Sequence, residues 1–320
     1  MAQEKSNAGS SFMKFLTKGG VLIATIIMFI IGTFVSDKFF TLNNMVNVAR
    51  QISIDGIIAL AMTFVVITGG VDLSVGSQVA VIGIVVAQIL KAGMHPVIAI
   101  CAGLLIGALF GVLNGLGVTK GKLPPFIMTL GTMTAIRGIA LYLSNGAPQN
   151  WRNTETNIKF IGQGYLFGIP FPIFIFAAML LAGWYMLRYT SFGRNIYAVG
   201  DNREAARLNG VNVNKTLLIS FVMTGAASAI AAIVLTSKLS SADPTAGNGY
   251  ELNALARCYI GGCSAAGGEG SIIGTLIGCC LLGFLSNIMN LVGVNSYMQQ
   301  IVEGLIIIIA VLLGTIRRRS

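Results

Sequence analysis

Long apolar runs alternate with short polar or glycine-rich breaks along almost the whole chain. A run of roughly 20 apolar residues is long enough to cross about 30 Å of hydrocarbon as a helix. The pattern predicts ten membrane segments, at 19–35, 49–68, 72–91, 96–118, 124–143, 169–188, 215–237, 250–263, 271–292 and 297–315. The eighth is short and polar, which indicates a re-entrant or broken element. We therefore predict an all-α polytopic membrane protein with about ten transmembrane segments.

The breaks between these segments indicate one transmembrane domain rather than several units. It covers 19–315, preceded by the segment 1–18 and followed by a basic tail at 316–320. No A-x-A cleavage site follows the first apolar run, so a retained signal anchor is favoured over a cleaved signal peptide. With the N-terminus in the cytoplasm, ten crossings place the loop 189–214 and the tail there too, and the loop 144–168 outside.

Two pairs of similar stretches suggest that the chain has two related halves. The run at 105–118 resembles the one at 276–294, and the glycine-rich turn at 68–77 resembles that at 260–271. Internal repeats are typical of transport proteins, whose pathway lies between the repeats. Glycine-rich membrane segments also converge on similar compositions, so duplication is one of two interpretations.

The composition supports a membrane protein and argues against other classes. Only 10% of the 320 residues are charged and 55% are hydrophobic, whereas soluble domains average about 25% charged residues. The net charge of +10 is clustered between or outside the apolar runs, as expected where cytoplasmic loops collect Lys and Arg. We therefore expect no nucleic-acid partner. The five cysteines lie in or beside apolar runs, far from a second type of metal ligand, and no metal site is expected.

A charged stretch at 197–210, YAVGDNREAARLNG, separates two long apolar runs. Asp201 is a suitable N-cap, and Glu204, three residues later, can complete a capping box. Gly210 can end the helix in the left-handed conformation. The pattern predicts a capped helix of about eight residues with Ala205 and Ala206 on its flank. Such a helix is either a connector or a knob that fits a groove on another protein.

The same stretch carries a resemblance to a known family. Glu204-Ala205-Ala206 followed by Gly210 resembles the EAA–Gly cytoplasmic loop of ABC importer permeases. Four ordered motifs resemble those of ribose-type (monosaccharide) ABC permeases: TGGVDLSVGS (68–77), LPPFIMTLGTM (123–133), TSFGRNIYAVGDNREAARLNGV (190–211) and GGEGSIIGTLIG (267–278). SADPTAGNGYEL (241–252) and QQIVEGLIIIIAVLL (299–313) are similar to further stretches of that family. The resemblance runs from about residue 40 to the end.

This resemblance implies a homodimeric channel in the bacterial cytoplasmic (inner) membrane. The implied partners are a cytoplasmic tandem ABC ATPase, which uses ATP and Mg²⁺, and a periplasmic or lipid-anchored sugar-binding protein. The EAA–Gly loop then forms a coupling helix that docks into the ATPase. The implied coupling residues are Gly193, Arg194, Gly200, Asp201, Asn202, Arg203, Glu204, Ala205, Ala206, Arg207 and Gly210.

Polar residues within the apolar segments are candidates for a solute route, because a mid-membrane charge costs about 2.5–3.5 kcal/mol on insertion scales. The candidates are Asp72, Ser74, Asn114, Thr129, Glu251, Asn253, Arg257, Asn287, Asn290 and Gln300. Each also has a structural role open to it: Asp72 can cap a helix with the help of Ser74, and amides can bond between helices. Arg137 can pair with Glu303 or extend to an interface.

The eighth segment departs from the residues that the family usually has. The departures are Asn253, Arg257, Cys258 and Cys263. Asn253 and Arg257 are four positions apart and share a face if the segment is helical. They form either a local polar patch near the cytoplasmic interface or part of the solute route.

No signature of catalysis accompanies these residues. The chain lacks a G-x-x-x-x-G-K-[ST] phosphate loop, and its single histidine, His95, does not supply a His-dependent triad or an H-E-x-x-H site. We expect a non-catalytic transport subunit that binds no cofactor itself. The expected cargo is a monosaccharide such as a ribose-like pentose. The alternatives are a non-sugar solute (a signalling furanosyl compound, nucleoside or polyol) and an ion-coupled secondary carrier.

Overall fold

Helices make up most of the computed structural model, which describes residues 20–151 and 157–319. They are α1 (Gly20–Val35), α2 (Leu42–Ile67), α3 (Val75–Lys91), α4 (Pro96–Thr119), α5 (Pro125–Ser144), α6 (Lys159–Gln163), α7 (Phe171–Tyr189), α8 (Ser191–Asp201), α9 (Arg203–Leu208), α10 (Val213–Leu239), α11 (Tyr250–Ile260), α12 (Ile272–Val292) and α13 (Ser296–Arg319). Four two-residue strands complete the elements: β1 (Gln149–Asn150), β2 (Tyr165–Leu166), β3 (Ile169–Pro170) and β4 (Ser241–Ala242).

Six of these helices, α2, α4, α5, α7, α10 and α12, are long and apolar enough to cross a membrane. Three shorter apolar helices accompany them within the described residues: α1, α3 and the stretch Ser296–Ile309 of α13. The expectation of a mostly helical polytopic membrane protein is confirmed. The predicted segment 49–68 was wrong at its start, because α2 begins at Leu42, where the Thr41 hydroxyl accepts a hydrogen bond from the Asn44 N–H.

The core of the chain is formed by α2, α3 and α10. Of the 18 most apolar consecutive residues of α2, 83% are buried. The corresponding fractions are 17% for α5 and 22% for α7. Helix α10 crosses α4 so closely that a Cβ added to Gly107 or Gly225 would collide with the other residue's backbone carbonyl. Small residues permit this approach between helices in lipid, which accounts for part of the glycine content.

Two non-helical stretches meet inside this bundle. Residues 68–74 join α2 to α3, and residues 243–249 lead from β4 to α11. A Cβ on Gly76, in the first turn of α3, would collide with the carbonyl of Gly247, so the N-termini of α3 and α11 touch there. The predicted segment 72–91 therefore begins later as a helix, at Val75. The predicted short eighth segment is an 11-residue helix, α11, that follows an irregular stretch.

The loop 144–168 folds onto the ends of the helices rather than forming a loose linker. Strand β1 pairs with β4, and β2 pairs with β3 as a hairpin. The Gln163 amide donates to the carbonyls of Ser237 and Lys238 and to the Ser240 hydroxyl at 2.9–3.1 Å. Residues 152–156 of this loop, the segment 1–18 and Ser320 lie outside the described residues.

Candidate functional site

Helices α8 and α9 form the charged stretch, and their boundary differs from the prediction. Asp201 is the last residue of α8, so it is not the N-cap. Asn202 is extended (φ −154°), and its Oδ1 accepts from the N–H groups of Glu204 and Ala205, both at 3.0 Å. Asn202 therefore caps α9, which has six residues instead of about eight. Gly210 follows with φ +80°, as predicted for the helix stop.

One face of α9 is anchored and the other is exposed. Ala206 is buried against Val199, Leu217 and Phe221, in a small apolar cluster. Glu204 does not close a capping box; its carboxylate instead pairs with Arg207 at 2.6 Å, and hydrogen bonding and charge from that guanidinium lower the pKa of Glu204. Leu208 is 75% exposed. The result is a short, rigid, charged projection with a protruding leucine.

The two glycine-rich turns of similar sequence, 68–74 and 261–271, meet at the end of α8. The Gly268 N–H donates to the carbonyl of Ile67 at 2.8 Å, and a Cβ on Gly200 would collide with that same carbonyl. The Tyr197 hydroxyl donates to the carbonyl of Gly270 at 2.8 Å, and Arg203 donates to the carbonyl of Thr68 at 3.3 Å. The charged stretch 197–210 thus contacts both non-helical turns, 68–74 and 261–271.

Four of the ten pathway candidates form one buried cluster, the Asp72 network, with Gln78, Thr132 and Thr224. Its described members are Asp72, Ser74, Gln78, Asn114, Thr129, Thr132 and Thr224, each at most 8% exposed. The Asp72 carboxylate accepts from the Ser74 N–H (3.0 Å) and hydroxyl (2.6 Å) and from the Thr224 hydroxyl (2.8 Å). Asn114 donates to Ser74 and accepts from Thr132, both at 2.8 Å. Thr129 lies beside them, bonded to backbone carbonyls.

Asp72 therefore does more than cap a helix. Ser74 holds the N-cap position of α3 without a side-chain cap bond, while Asp72 connects the 68–74 turn to α4 and α10. Because the network is sealed inside one chain, it is placed to fix helix positions. A role for its residues in a solute route stays a prediction.

Arg257 and Asn253 lie in a second polar group, where α11 packs against α2 and α13. The Arg257 guanidinium is buried and pairs with Asp55 at 2.8 Å, and Asp55 sits midway along α2. Asn253 lies near the Glu303 carboxylate. The two share a face as expected for positions four apart on a helix, and Arg257 is ion-paired within the bundle. Asp55 was missed from the sequence, although a lone carboxylate in an apolar run marks such a partner.

The remaining amide candidates stay apart from these groups. Asn287 pairs with Asn44 through both amides at 2.9 Å, joining α12 to the first turn of α2. Asn290 accepts from Gln299 at 2.8 Å near the turn between α12 and α13. Gln300 is exposed in the first turns of α13. Interhelical bonding explains Asn287, and a local turn explains Asn290.

A polar groove opens where α3 and α11 begin. Its volume is about 450 Å³, and its lining is Ser77, Met133, Thr134, Arg137, Gly138, Leu141, Asn248 and Glu251. Arg137 does not pair with Glu303. Its guanidinium donates to the carbonyls of Pro244 (2.6 Å) and Ala246 (2.9 Å), and the charge of Glu251 acts on it electrostatically. Of the ten candidates, Glu251 alone lines this groove.

Metal chemistry finds no support in the part of the chain that the structure describes. No group of three or more His, Cys, Asp or Glu side chains is placed to hold an ion there. Cys258 and Cys263 are buried and free, and Cys258 contacts the Thr63 hydroxyl at 3.5 Å. Cys258 therefore serves as a small buried packing residue.

A family of known proteins and several of its members match most of the chain. The model of a family described as "Branched-chain amino acid transport system / permease component" matches residues 44–311. The chain is 45% identical over 293 residues to the ribose import permease protein RbsC of Escherichia coli (strain K12), covering 91% of each. It is 43% identical to the ribose import permease protein of Bacillus subtilis (strain 168), covering 95% of this chain and 94% of that one.

A more distant relative is named for the transport of another sugar. The L-arabinose transport system permease protein AraH of Escherichia coli (strain K12) is 36% identical to this chain, covering 97% of the chain and 94% of the relative. No solved structure matches the chain.

Proposed function

This chain belongs to the permease-component family of the branched-chain amino acid transport system and is a sugar permease subunit of an ABC importer; we propose that its cargo is a ribose-like pentose. The observation that carries this assignment is 45% identity to a ribose import permease across 91% of both chains. The chain is a multi-pass inner-membrane transport component. A non-sugar solute stays the alternative within the same importer class.

We propose that the membrane domain crosses ten times with both termini in the cytoplasm. The six long apolar helices, three shorter ones (α1, α3 and 296–309) and the broken segment 241–260 give ten crossings. With an inside N-terminus, α8, α9 and the tail with Arg317 lie on the cytoplasmic side, in agreement with the bias of basic residues. The meeting of the turns 68–74 and 261–271 supports two related halves.

Helix α9 is proposed to dock into the partner ATPase, which consumes ATP and Mg²⁺, while a binding protein delivers the sugar. The support is local: α9 is capped, anchored through Ala206 and exposed at Glu204, Arg207 and Leu208. Arg203 of α9 bonds the turn 68–74, and Gly200 of the adjoining α8 contacts the turn 261–271. A movement of α9 therefore acts at once on the entrances to α3 and α12, as a two-state coupling element requires.

A second copy of the chain is proposed to pack against α5. This helix exposes Gly131 and Ala135, four positions apart, beside Thr134 and Gly138, which also line the groove described above. A Cβ added to either glycine meets nothing within 4 Å. Small residues at this spacing allow close helix contacts in lipid. Membrane lipid covers the other apolar faces.

Reconstitution tests the coupling assignment. We expect the purified chain, with its ATPase and its binding protein in liposomes, to import labelled ribose only with ATP. Glu204→Lys should reduce retention of the ATPase at least about tenfold, because it places a like charge beside Arg207 at the docking face. The matched charge reversal Lys38→Glu, in the turn between α1 and α2, should retain it. Full retention by Glu204→Lys, or import without nucleotide, would contradict the assignment.

A further inference from the structure

The groove at the start of α3 contains a buried hydroxyl that has no partner. Ser77 is 1% exposed, and its Oγ makes no hydrogen bond in the structure. Ser220 on α10, by contrast, is as deeply buried but donates to the Thr216 carbonyl at 2.9 Å, one turn back. Buried hydroxyls are normally paired, because an unpaired one loses its water without compensation. An orphan that lines a groove therefore indicates a group that arrives with a ligand.

Further polar groups surround the same space. Glu251, Arg137, Asn248 and Thr134 line the groove together with Ser77. The lining contains one carboxylate and one guanidinium, so it carries no strong net charge, which disfavours anions and cations as ligands. Amide, hydroxyl and carboxylate groups together donate to and accept from sugar hydroxyls. The volume of about 450 Å³ lies within the range of roughly 300–1,000 Å³ for small-molecule sites.

The backbone around the groove is irregular, which is rare within a membrane segment. Residues 243–249 are non-helical, and the N-termini of α3 and α11 meet at Gly76 and Gly247. Irregular backbone at membrane depth is tolerated where it lines a cavity, and broken helices mark solute sites in transporters. Arg137 holds this stretch in place by donating to the carbonyls of Pro244 and Ala246.

We propose that this groove is a contact site for a neutral, polyhydroxylated solute on its way through the membrane. Ser77 and Glu251 bond solute hydroxyls directly, and Arg137 is a positioning residue that shapes the irregular stretch. The proposal rests on the proposed function, since it names where in the chain an imported monosaccharide is met. It adds Ser77 and Arg137 to the route and leaves the sealed Asp72 network out of it.

The test measures labelled D-ribose delivered per ATP hydrolysed by the reconstituted importer, together with the melting temperature of each permease variant. Ser77→Ala and Glu251→Gln should each lower ribose delivered per ATP about 3- to 10-fold, the effect of one lost hydrogen bond. Ser77→Ala should melt at the same or a higher temperature, because it removes a hydroxyl that has no partner in the empty chain. The matched control Ser220→Ala should keep the transport ratio of the wild type.

The outcomes separate this proposal from the one it rests on. If the wild-type chain fails to import ribose with ATP, the proposed cargo is wrong. If the wild type imports ribose and both groove variants keep its ratio, the groove is not a contact site. A reduced ratio in Ser77→Ala that appears only with a lowered melting temperature also overturns the proposal, since a packing role then explains it.

Discussion

Ser74 and Ser77 stand one helical turn apart at the start of α3, yet they belong to two different polar regions. The Ser74 hydroxyl donates to Asp72 and accepts from Gln78 and Asn114, all within 2.8 Å. The Ser77 hydroxyl has no partner and lines the groove. One residue type, at two positions within one helical turn, thus serves a sealed network and lines an open groove.

The difference separates polar groups that bond neighbouring helices from those that we propose to contact a solute. In the Asp72 network the polar groups bond one another except at the Gln78 Oε1, which has no partner, and such bonding fixes helix positions in a low-dielectric interior. In the groove, hydrogen-bonding capacity is left over. Function is expected where an unpaired polar group also lines a groove, as Ser77 does, because only there can it meet a passing molecule.

The largest loss of stability is expected when the Asp72 network is disrupted. Asp72→Leu removes the acceptor of the Ser74 N–H, the Ser74 hydroxyl and the Thr224 hydroxyl, and leaves these donors buried. We expect a loss of about 3 kcal/mol or more in the free energy of unfolding. Heating detergent-solubilised protein and measuring what remains monodisperse checks this. The control Asp37→Leu, at an exposed turn, should melt like the wild type; equal melting of the two variants would show that the network is not structural.

A smaller effect is expected where the two regions join. Gly76→Ala places a methyl group against the Gly247 carbonyl and the Glu251 carboxylate, so the N-termini of α3 and α11 must separate. Such overpacking costs about 1–3 kcal/mol. The control Gly304→Ala adds a methyl group that meets nothing within 4 Å on α13 and should not destabilise. Melting temperatures of both variants measure the difference in stability. A Gly76→Ala protein as stable as its control would mean that the two N-termini do not touch.

Much of this layout could be predicted from the sequence, because membrane helices follow from apolar runs alone. The six long spans, the short α11 and the glycine stop at Gly210 came from local pattern. The partners of Asp72 did not, since Thr224 lies 152 positions away and no local signal links the two. The groove was missed for the same reason: Ser77 is an ordinary small polar residue until the fold places Glu251 beside it.

Two errors have specific physical causes. Asp201 and Asn202 are both good capping residues, and the sequence does not show that α8 continues through Asp201 and leaves the extended position to Asn202. The pairing of Arg137 with Glu303 was one of two alternatives, and neither accounts for the carbonyls of Pro244 and Ala246 as acceptors. Backbone acceptors freed by an irregular stretch carry no sequence signature of their own.

Paired alanine variants test the difference between Ser74 and Ser77. Ser74→Ala leaves the Asp72 carboxylate, the Gln78 amide and the Asn114 amide each one bond short, so we expect a loss of about 1–2 kcal/mol in stability. Ser77→Ala loses no bond and should not destabilise the empty chain. Melting curves of the two variants, prepared identically, measure the difference. Equal stabilities would remove the distinction between a sealed network and an open groove.

The smallest effect concerns how far a change in α9 reaches the Asp72 network. Asn202→Ala removes the cap of α9 and should cost about 1 kcal/mol locally, whereas Asp201→Ala, at the exposed end of α8, should cost little. Hydrogen exchange should accelerate at 203–208 in the first variant alone. Because Arg203 donates to the Thr68 carbonyl, exchange should also rise across 68–74 but stay unchanged at 243–249 beside the groove. Equal acceleration in both stretches would mean that α9 acts on the network and the groove as one unit.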